Sequence, residues 1–287
     1  MLNITAGNVN RKLQKMLERI SDMDNRTNYN ENNTQYTEYQ SGSNYDYQPQ
    51  GTFNGNAYET SSYYESAADR ADIKAKVISR SFIVMFLSLL ITAFAATMVA
   101  MNPEWFYQVA QSFGIFLVIE LVVVIGASFA VSKRKAILAG ILYTIYTIIN
   151  GMTLSIIFYV YELGSVQEIF LMTAVLFGVM AVLGMTTKID LSKVGGICTM
   201  LLIGALIVTA VNFIFLHSTG LDLLLDYLVV AIFVGLTAWD TQKMKRMAET
   251  AGNSEVNVIA IYCGMELYLD FINLFLRLLA IFGKKRN

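Results

Sequence analysis

Proline is nearly absent from this sequence, with only Pro49 and Pro103 in 287 residues, and cysteine and histidine are as scarce, at two and one. So little proline leaves long stretches without the residue that breaks helices. Cys198 and Cys263 both lie inside apolar runs, which excludes a disulfide framework and a zinc-type ligand spacing; each reads as a small packed hydrophobe. The lone His217 closes an apolar run and reads as an interfacial side chain. Charge is thin as well. Charged residues make up 15% against 55% hydrophobic, and a net charge of −1 offers no footprint for nucleic acid. This balance excludes an ordinary soluble domain and points to a chain whose solvent is the lipid bilayer.

What is present is divided unevenly. Residues 1–75 are polar, and Asn25 to Tyr64 is rich in Asn, Tyr, Ser, Gln and Gly with almost no aliphatic side chains, so it cannot bury enough surface to offset its chain entropy. It is expected to be a disordered cytosolic tail. Residues 1–30 hold one short amphipathic turn around Leu13, Leu17 and Ile20 and no basic start followed by an apolar core, so no cleavable targeting segment is expected. The triplet Asn32-Asn33-Thr34 matches a glycosylation acceptor by chance of composition, on the cytosolic side.

Residues 76–287 form the second region. A hydrocarbon core of ~30 Å needs about 20 apolar residues at ~1.5 Å each. Seven segments approach or meet that length: Ser81–Met101, Phe113–Val131, Ala136–Tyr161, Ile169–Thr186, Val194–Leu216, Leu223–Asp240 and Val258–Phe282. The fold class is therefore all-α, a polytopic bundle of seven transmembrane helices. Clusters at Arg70 to Arg80, Lys133 to Lys135, Lys188 and Lys193, and Lys243 to Arg246 fall on one face, while the alternate loops carry Glu104, Glu162, Glu168, Asp222 and Asp226. Retention of Lys and Arg on the cytoplasmic side places the amino terminus in the cytosol. Seven full crossings then put Lys284, Lys285 and Arg286 outside, against the rule, and a re-entrant last segment is the alternative.

Ionisable groups within such segments are costly and must face the bundle interior or a polar cavity. Glu120, Asp240, Glu266, Asp270 and Arg277 are the cases. Asp240, roughly 26 Å along its helix from Leu223, falls just inside the cytosolic boundary, and Asp270, about 18 Å from Phe282, falls roughly ten Å below that same boundary, so the two depths are compatible within a turn or so. Two carboxyls meeting in a dry site tend to share one proton, which ties their helices; the doubly ionised pair repels or captures a cation. Oxygen ligands suit calcium, as a permeant or bound ion, with Asp240 and Asp270 as its candidate ligands and no other cofactor. Glu120 is a candidate pore carboxylate or a buried structural Glu. Glu266, one turn before Asp270, would add acid to the site, and Arg277, about two turns beyond, would offset charge or snorkel outward. The glycines Gly151, Gly178, Gly184, Gly195, Gly196 and Gly204 read as points of close helix contact, and Trp105 and Trp239 as interfacial belts.

Several separated motifs resemble the Bax inhibitor-1-like, or transmembrane Bax inhibitor motif, family of membrane proteins. They are Asn150-Gly151-Met152-Thr153-Leu154-Ser155, Gly184 to Ser192 (GMTTKIDLS), Leu236 to Lys243 (LTAWDTQK), and Leu267 to Phe275 (LYLDFINLF), with the likeness running from about Lys76 to the end. The resemblance implies a bundle whose last helix is central and surrounded by the other six. It also implies that Asp240 and Asp270 are the family's paired aspartates, a pH-sensitive latch for calcium leak, and that Glu120 resembles a carboxylate of some members' second helix. The family arginine near the cytosolic end of that helix is replaced by Val131 or Ser132, with Lys133 or Arg134 as candidate substitutes in the latch. Glu266 is a second departure, since a small or amide residue is usual there, and the loop with Ala251-Gly252-Asn253-Ser254 is longer than in compact bacterial members.

The function expected is a pH-sensitive calcium leak channel or ion-permeable membrane protein, in a bacterial plasma membrane or else an internal eukaryotic one. The alternative is a non-conducting regulator that contacts a membrane protease or a cell-death factor. An enzyme is not expected: intramembrane aspartyl proteases also use aspartates on two helices, but Asp270 follows Tyr268-Leu269 rather than a Gly-x-Gly run, and neither proline supplies a Pro-Ala-Leu element.

Overall fold

The computed structural model describes residues 67–286, so the structure of most of the tail lies outside the described residues. In chain order the helices are α1 (Ala67–Ala100), α2 (Pro103–Gln111), α3 (Phe113–Ser132), α4 (Ala136–Leu154), α5 (Ile157–Val160), α6 (Leu163–Thr186), α7 (Ser192–Val211, continued by a π turn to Leu216), α8 (Thr219–Thr250) and α9 (Val256–Phe282). Among the described residues there is no strand, only an isolated antiparallel bridge between Tyr161 and Lys285. Six spans are long and apolar enough to cross a membrane: α1, α3, α4 with α5, α6, α7 with its π turn, and α8. The chain is an integral membrane protein. The last helix, α9, has the length, at 27 residues, but interrupts its apolar run with Glu266, Asp270 and Arg277.

Several boundaries differ from the sequence reading, α8 running ten residues past Asp240 to Thr250 and α6 beginning at Leu163, six residues before Ile169. Helix α1 begins at Ala67, inside the stretch assigned to the tail, because Ile73 and Val77 bury against Ala248, Ala251 and Val256, and Lys74 pairs with Glu249 at 2.6 Å. At 34 and 32 residues, α1 and α8 rise about 50 Å, well beyond a ~30 Å core, and their basic ends pack together past it. The short α2 was read as loop; Asn102 caps it by accepting from the Glu104 and Trp105 N–H groups at 3.1 and 3.3 Å, with Pro103 in the first turn.

The remaining connections fix the two ends of the bundle. Loops at 133–135, 187–191 and 251–255 share one end, linked by the Arg134–Glu255 pair, by Arg246–Asp190 at 2.9 Å, and by Gln242, whose side chain bonds the backbone of both Ile189 and Leu191. Arg134 turns the chain there in a left-handed conformation, at φ 55°. At the other end, the Glu162 N–H donates to the Lys284 carbonyl at 2.9 Å and the Arg286 N–H to the Val160 carbonyl at 2.8 Å. Helix α9 is thus unbroken and runs from the 251–255 end to the Tyr161 end, so the last segment does not double back.

Helix α9 packs against α1, α8, α6, α4 and α3. The expected ring of six is incomplete, because α7 packs on α8 and stays at the periphery, with the smallest buried share of the spanning segments. Outward side chains such as Phe94, Ile115, Val175 and Met200 remain exposed, which in a bilayer is the lipid-facing surface. Only some of the glycines serve close contact. An added Cβ would strike Thr92 at Gly151, the Ala238 carbonyl and Thr241 hydroxyl at Gly184, and the Trp239 ring at Gly195, whereas Gly178, Gly196 and Gly204 face open space. Trp239 accordingly packs against α7. Gly184→Ala is expected to lose ~1–3 kcal/mol as α6 is pushed off α8, while Gly204→Ala stays within about 0.5 kcal/mol of wild type; unfolding of the purified chain in detergent checks both.

Candidate functional site

Helices α8 and α9 lie side by side, and the site grows from what each must hide. On α8, the Thr237 and Thr241 hydroxyls donate back to their own helix, to the Phe233 and Thr237 carbonyls at 2.8 Å, so they offer nothing to Asp240. Close approach of α6 at Gly184 seals that side. Asp240 therefore turns toward α9, where Asp270 is its neighbour. Both are buried, at 8% and 4% exposure, and each keeps one oxygen, Asp240 Oδ1 and Asp270 Oδ2, with no hydrogen-bond partner. Two carboxylates hold no donor between them, so a hydrogen bond joining them requires one shared proton. Orphaned buried oxygens are costly, and they can be satisfied by a proton or by a hard cation.

The neighbouring acid is already neutralised. Glu266 Oε1 accepts from Lys243 Nζ at 2.6 Å, and the same ammonium donates to the Tyr262 hydroxyl at 2.7 Å and lies about 5 Å from the ring centres of Trp239 and Tyr262. Lys243 follows Asp240 by three residues and Glu266 precedes Asp270 by four, so this ion pair ties α8 to α9 one turn nearer the basic end. Cys263, buried on the same helix, also borders the acid cluster. Among the described residues no group of three or more His, Cys, Asp or Glu gathers, so a cation at the aspartates would have two carboxylates and would keep water ligands.

The two residues proposed from sequence to lock the aspartates do not reach them. Lys133 lies over the Phe129 ring at 5.4 Å, and Arg134, 78% exposed, pairs with Glu255; both sit at the tip of the α3–α4 turn, beyond the helix ends. The cation beside the pair is Lys243, read from sequence only as a topology charge. Its signal was there: it shares a helix face with Asp240, and Glu266, the unexpected acid on α9, is its partner. Arg277 pairs with Asp226 of α8 at 2.7 Å and not with Asp270.

Glu120 belongs to a separate polar cluster. Its carboxylate accepts from Thr153 Oγ1 at 2.7 Å and from Asn150 Nδ2 at 3.3 Å; Asn150 Oδ1 accepts from the Tyr268 hydroxyl at 3.1 Å, and that hydroxyl lies 2.7 Å from Thr92 Oγ1. Tyr143 and Tyr146 meet the Tyr268 ring edge-on. Tyr268 precedes Asp270 by two residues, roughly 200° around the helix, so α9 presents one polar group to α8 and the other to α1 and α4. Sequence spacing could not join Asn150 and Thr153 to Glu120 across helices.

Residues 74–287 match the family described as "Inhibitor of apoptosis-promoting Bax1". The chain belongs to the Bax inhibitor-1-like family. Its similar relatives include the "Inner membrane protein YbhL" of Escherichia coli strain K12, 41% identical over 209 residues that cover 70% of this chain and 88% of the relative. An uncharacterized protein of Borreliella burgdorferi is 38% identical over 220 residues, covering 75% and 94%. Another, of Rickettsia prowazekii, is 35% identical over 206 residues, covering 71% and 87%. The match to the Bax inhibitor-1-like family spans both polar clusters and leaves the segment before residue 74 outside it.

Removing one partner of the Lys243–Glu266 pair strands the other in a half-buried position, so Lys243→Met and Glu266→Gln should each destabilise this Bax inhibitor-1-like chain more than the double variant does. A double-mutant unfolding cycle reads the coupling, expected at about 1–3 kcal/mol. Tyr268→Phe, which leaves Asn150 Oδ1 unsatisfied in a dry interior, is expected to cost ~1–3 kcal/mol in the same assay.

Proposed function

We propose that this chain is a pH-responsive leak pathway for cations, with calcium as substrate, in which Asp240 and Asp270 form the latch. The observation that carries the reading is the buried carboxyl pair with two unpartnered oxygens on adjacent helices. One shared proton holds α8 to α9; its loss leaves two anions face to face where solvent cannot screen them, and the pair then separates or takes a cation. The titratable and charged groups around it are Glu266 and Lys243, which neutralise each other, with Tyr262 and Cys263 beside them. The reading assigns no catalytic step to the aspartates.

The same reading makes α9 a seventh crossing, since it runs between the two ends of the bundle, and puts the basic end with the amino terminus in the cytosol of a bacterial plasma membrane. The inner-membrane name of the Escherichia coli relative supports the location. A non-conducting regulator of other membrane proteins is the competing function, and the flux experiment separates them.

Calcium flux into proteoliposomes holding the full chain should vary with pH in wild type. Asp240→Asn and Asp270→Asn should each flatten that pH response, because an amide cannot lose the proton. Flux and pH response identical to wild type in both variants would remove the latch, and no flux in any of the three would favour the regulator.

A further inference from the structure

On the membrane-facing flank between α1 and α4, a groove of about 650 Å³ opens sideways, with the central helix α9 as its floor. Its walls are apolar, built by Ile83 of α1 and Ile137 and Ile141 of α4, all exposed, and Ala260 and Ile261 of α9 form the base. From Ala136 to Ile145 the groove descends about 14 Å, close to half of a ~30 Å hydrocarbon core, so it spans one leaflet.

Its mouth at the basic end is cationic. Arg80 lines it and donates to the neutral Oδ1 of Asn257 at 2.5 Å, with no ion pair to a carboxylate among the described residues. Lys74, Lys76, Arg134, Lys243 and Arg246 at that end are each paired with an acid, whereas Arg80 belongs to the cations there that, among the described residues, are not, and of these it is the one that lines the groove. A guanidinium has five donors in a planar fork, and one amide acceptor leaves most of them for a phosphate. Lys135, which immediately precedes the groove residue Ala136, has no ion pair among the described residues either and adds a second positive charge at that level.

We propose that this groove is a binding site for an anionic glycerophospholipid of the leaflet at the basic end, its phosphate on Arg80 and one acyl chain between Ile83, Ile137 and Ile141. The charge at the mouth selects the headgroup, and the length and apolar walls of the groove fit the chain. The bound lipid lies against Asn257 and Ile261, so it braces the first turns of α9 where α1 and α4 leave that helix uncovered. The assignment is independent of any role for the aspartate pair.

Native mass spectrometry of the full chain, titrated in detergent with phosphatidylglycerol or phosphatidylcholine, tests it. Wild type should retain one phosphatidylglycerol in preference to phosphatidylcholine, and Arg80→Gln should lower that preference by about fivefold to tenfold. Arg80→Lys should keep most of it, which separates loss of charge from misfolding, and Lys285→Gln at the opposite end should not change it. Gly140→Phe should reduce retention of both lipids, because a Cβ at Gly140 meets only Ile261 Cδ1, at 3.6 Å, and a larger side chain grows into the groove. Equal retention of the two lipids by wild type, a preference that survives Arg80→Gln, or a second protein copy held in place of lipid would each overturn the proposal.

Discussion

Hydrocarbon cannot solvate a charge, and that constraint organises this bundle around α9. A helix carrying Glu266, Asp270 and Arg277 has no stable place facing lipid, so it is drawn to the centre. There each of the three groups meets α8: Glu266 at Lys243, Asp270 at Asp240, and Arg277 at Asp226. The ties run in opposite sequence order on the two helices, as antiparallel neighbours require. Tyr268 uses another side of α9 to reach Thr92 and Asn150, which commits α1 and α4 to the same core.

Close packing then holds what the polar ties position. Between membrane helices the hydrophobic effect offers little, so contact depends on dispersion at short range and on small residues that allow it. Gly264 lets α9 approach the Ser81 carbonyl and the Val84 side chain of α1, Gly151 admits Thr92, and Gly184 admits Ala238 and Thr241. Helix α7 has fewer such ties. It touches α8 through Gly195 under Trp239 and Cys198 beside Gly235, and nothing polar draws it to α9. It lacks any equivalent of the buried Asn150, which ties the uncharged α4 to Tyr268 of α9.

Much of this was legible in the sequence, for physical reasons that also mark the limits. Apolar length has a fixed threshold, so six spanning segments could be read from it, while the last helix, interrupted by Glu266, Asp270 and Arg277, falls outside that threshold; helical rise put Asp240 and Asp270 at compatible depths without any knowledge of packing. Rotation about the helix axis is not encoded so simply. The depth argument could not tell that Arg277 turns to Asp226, or that Lys243 closes on Glu266 and not on the aspartates. The α3–α4 turn misled for another reason: Lys133 and Arg134 are near the aspartates in a linear reading of the membrane's basic side, but a tight turn with Arg134 left-handed carries both beyond the helix ends. At α2 the cue is local, an Asn before a Pro, in a segment too short to span a membrane.

The two buried polar clusters differ in a way that decides which one can change state. Both oxygens of Glu120 accept a hydrogen bond, and the chain continues through Asn150 and Tyr268 to Thr92, so altering it leaves buried groups unsatisfied at several points. Such a network resists change and specifies one packing. The aspartate pair has the opposite character, with two buried oxygens that no protein donor satisfies. In the proposed latch its energy depends on a proton or a cation that the protein does not itself supply, so the α8–α9 contact is the one that would answer to solution conditions, while the satisfied α1–α4–α9 network would not.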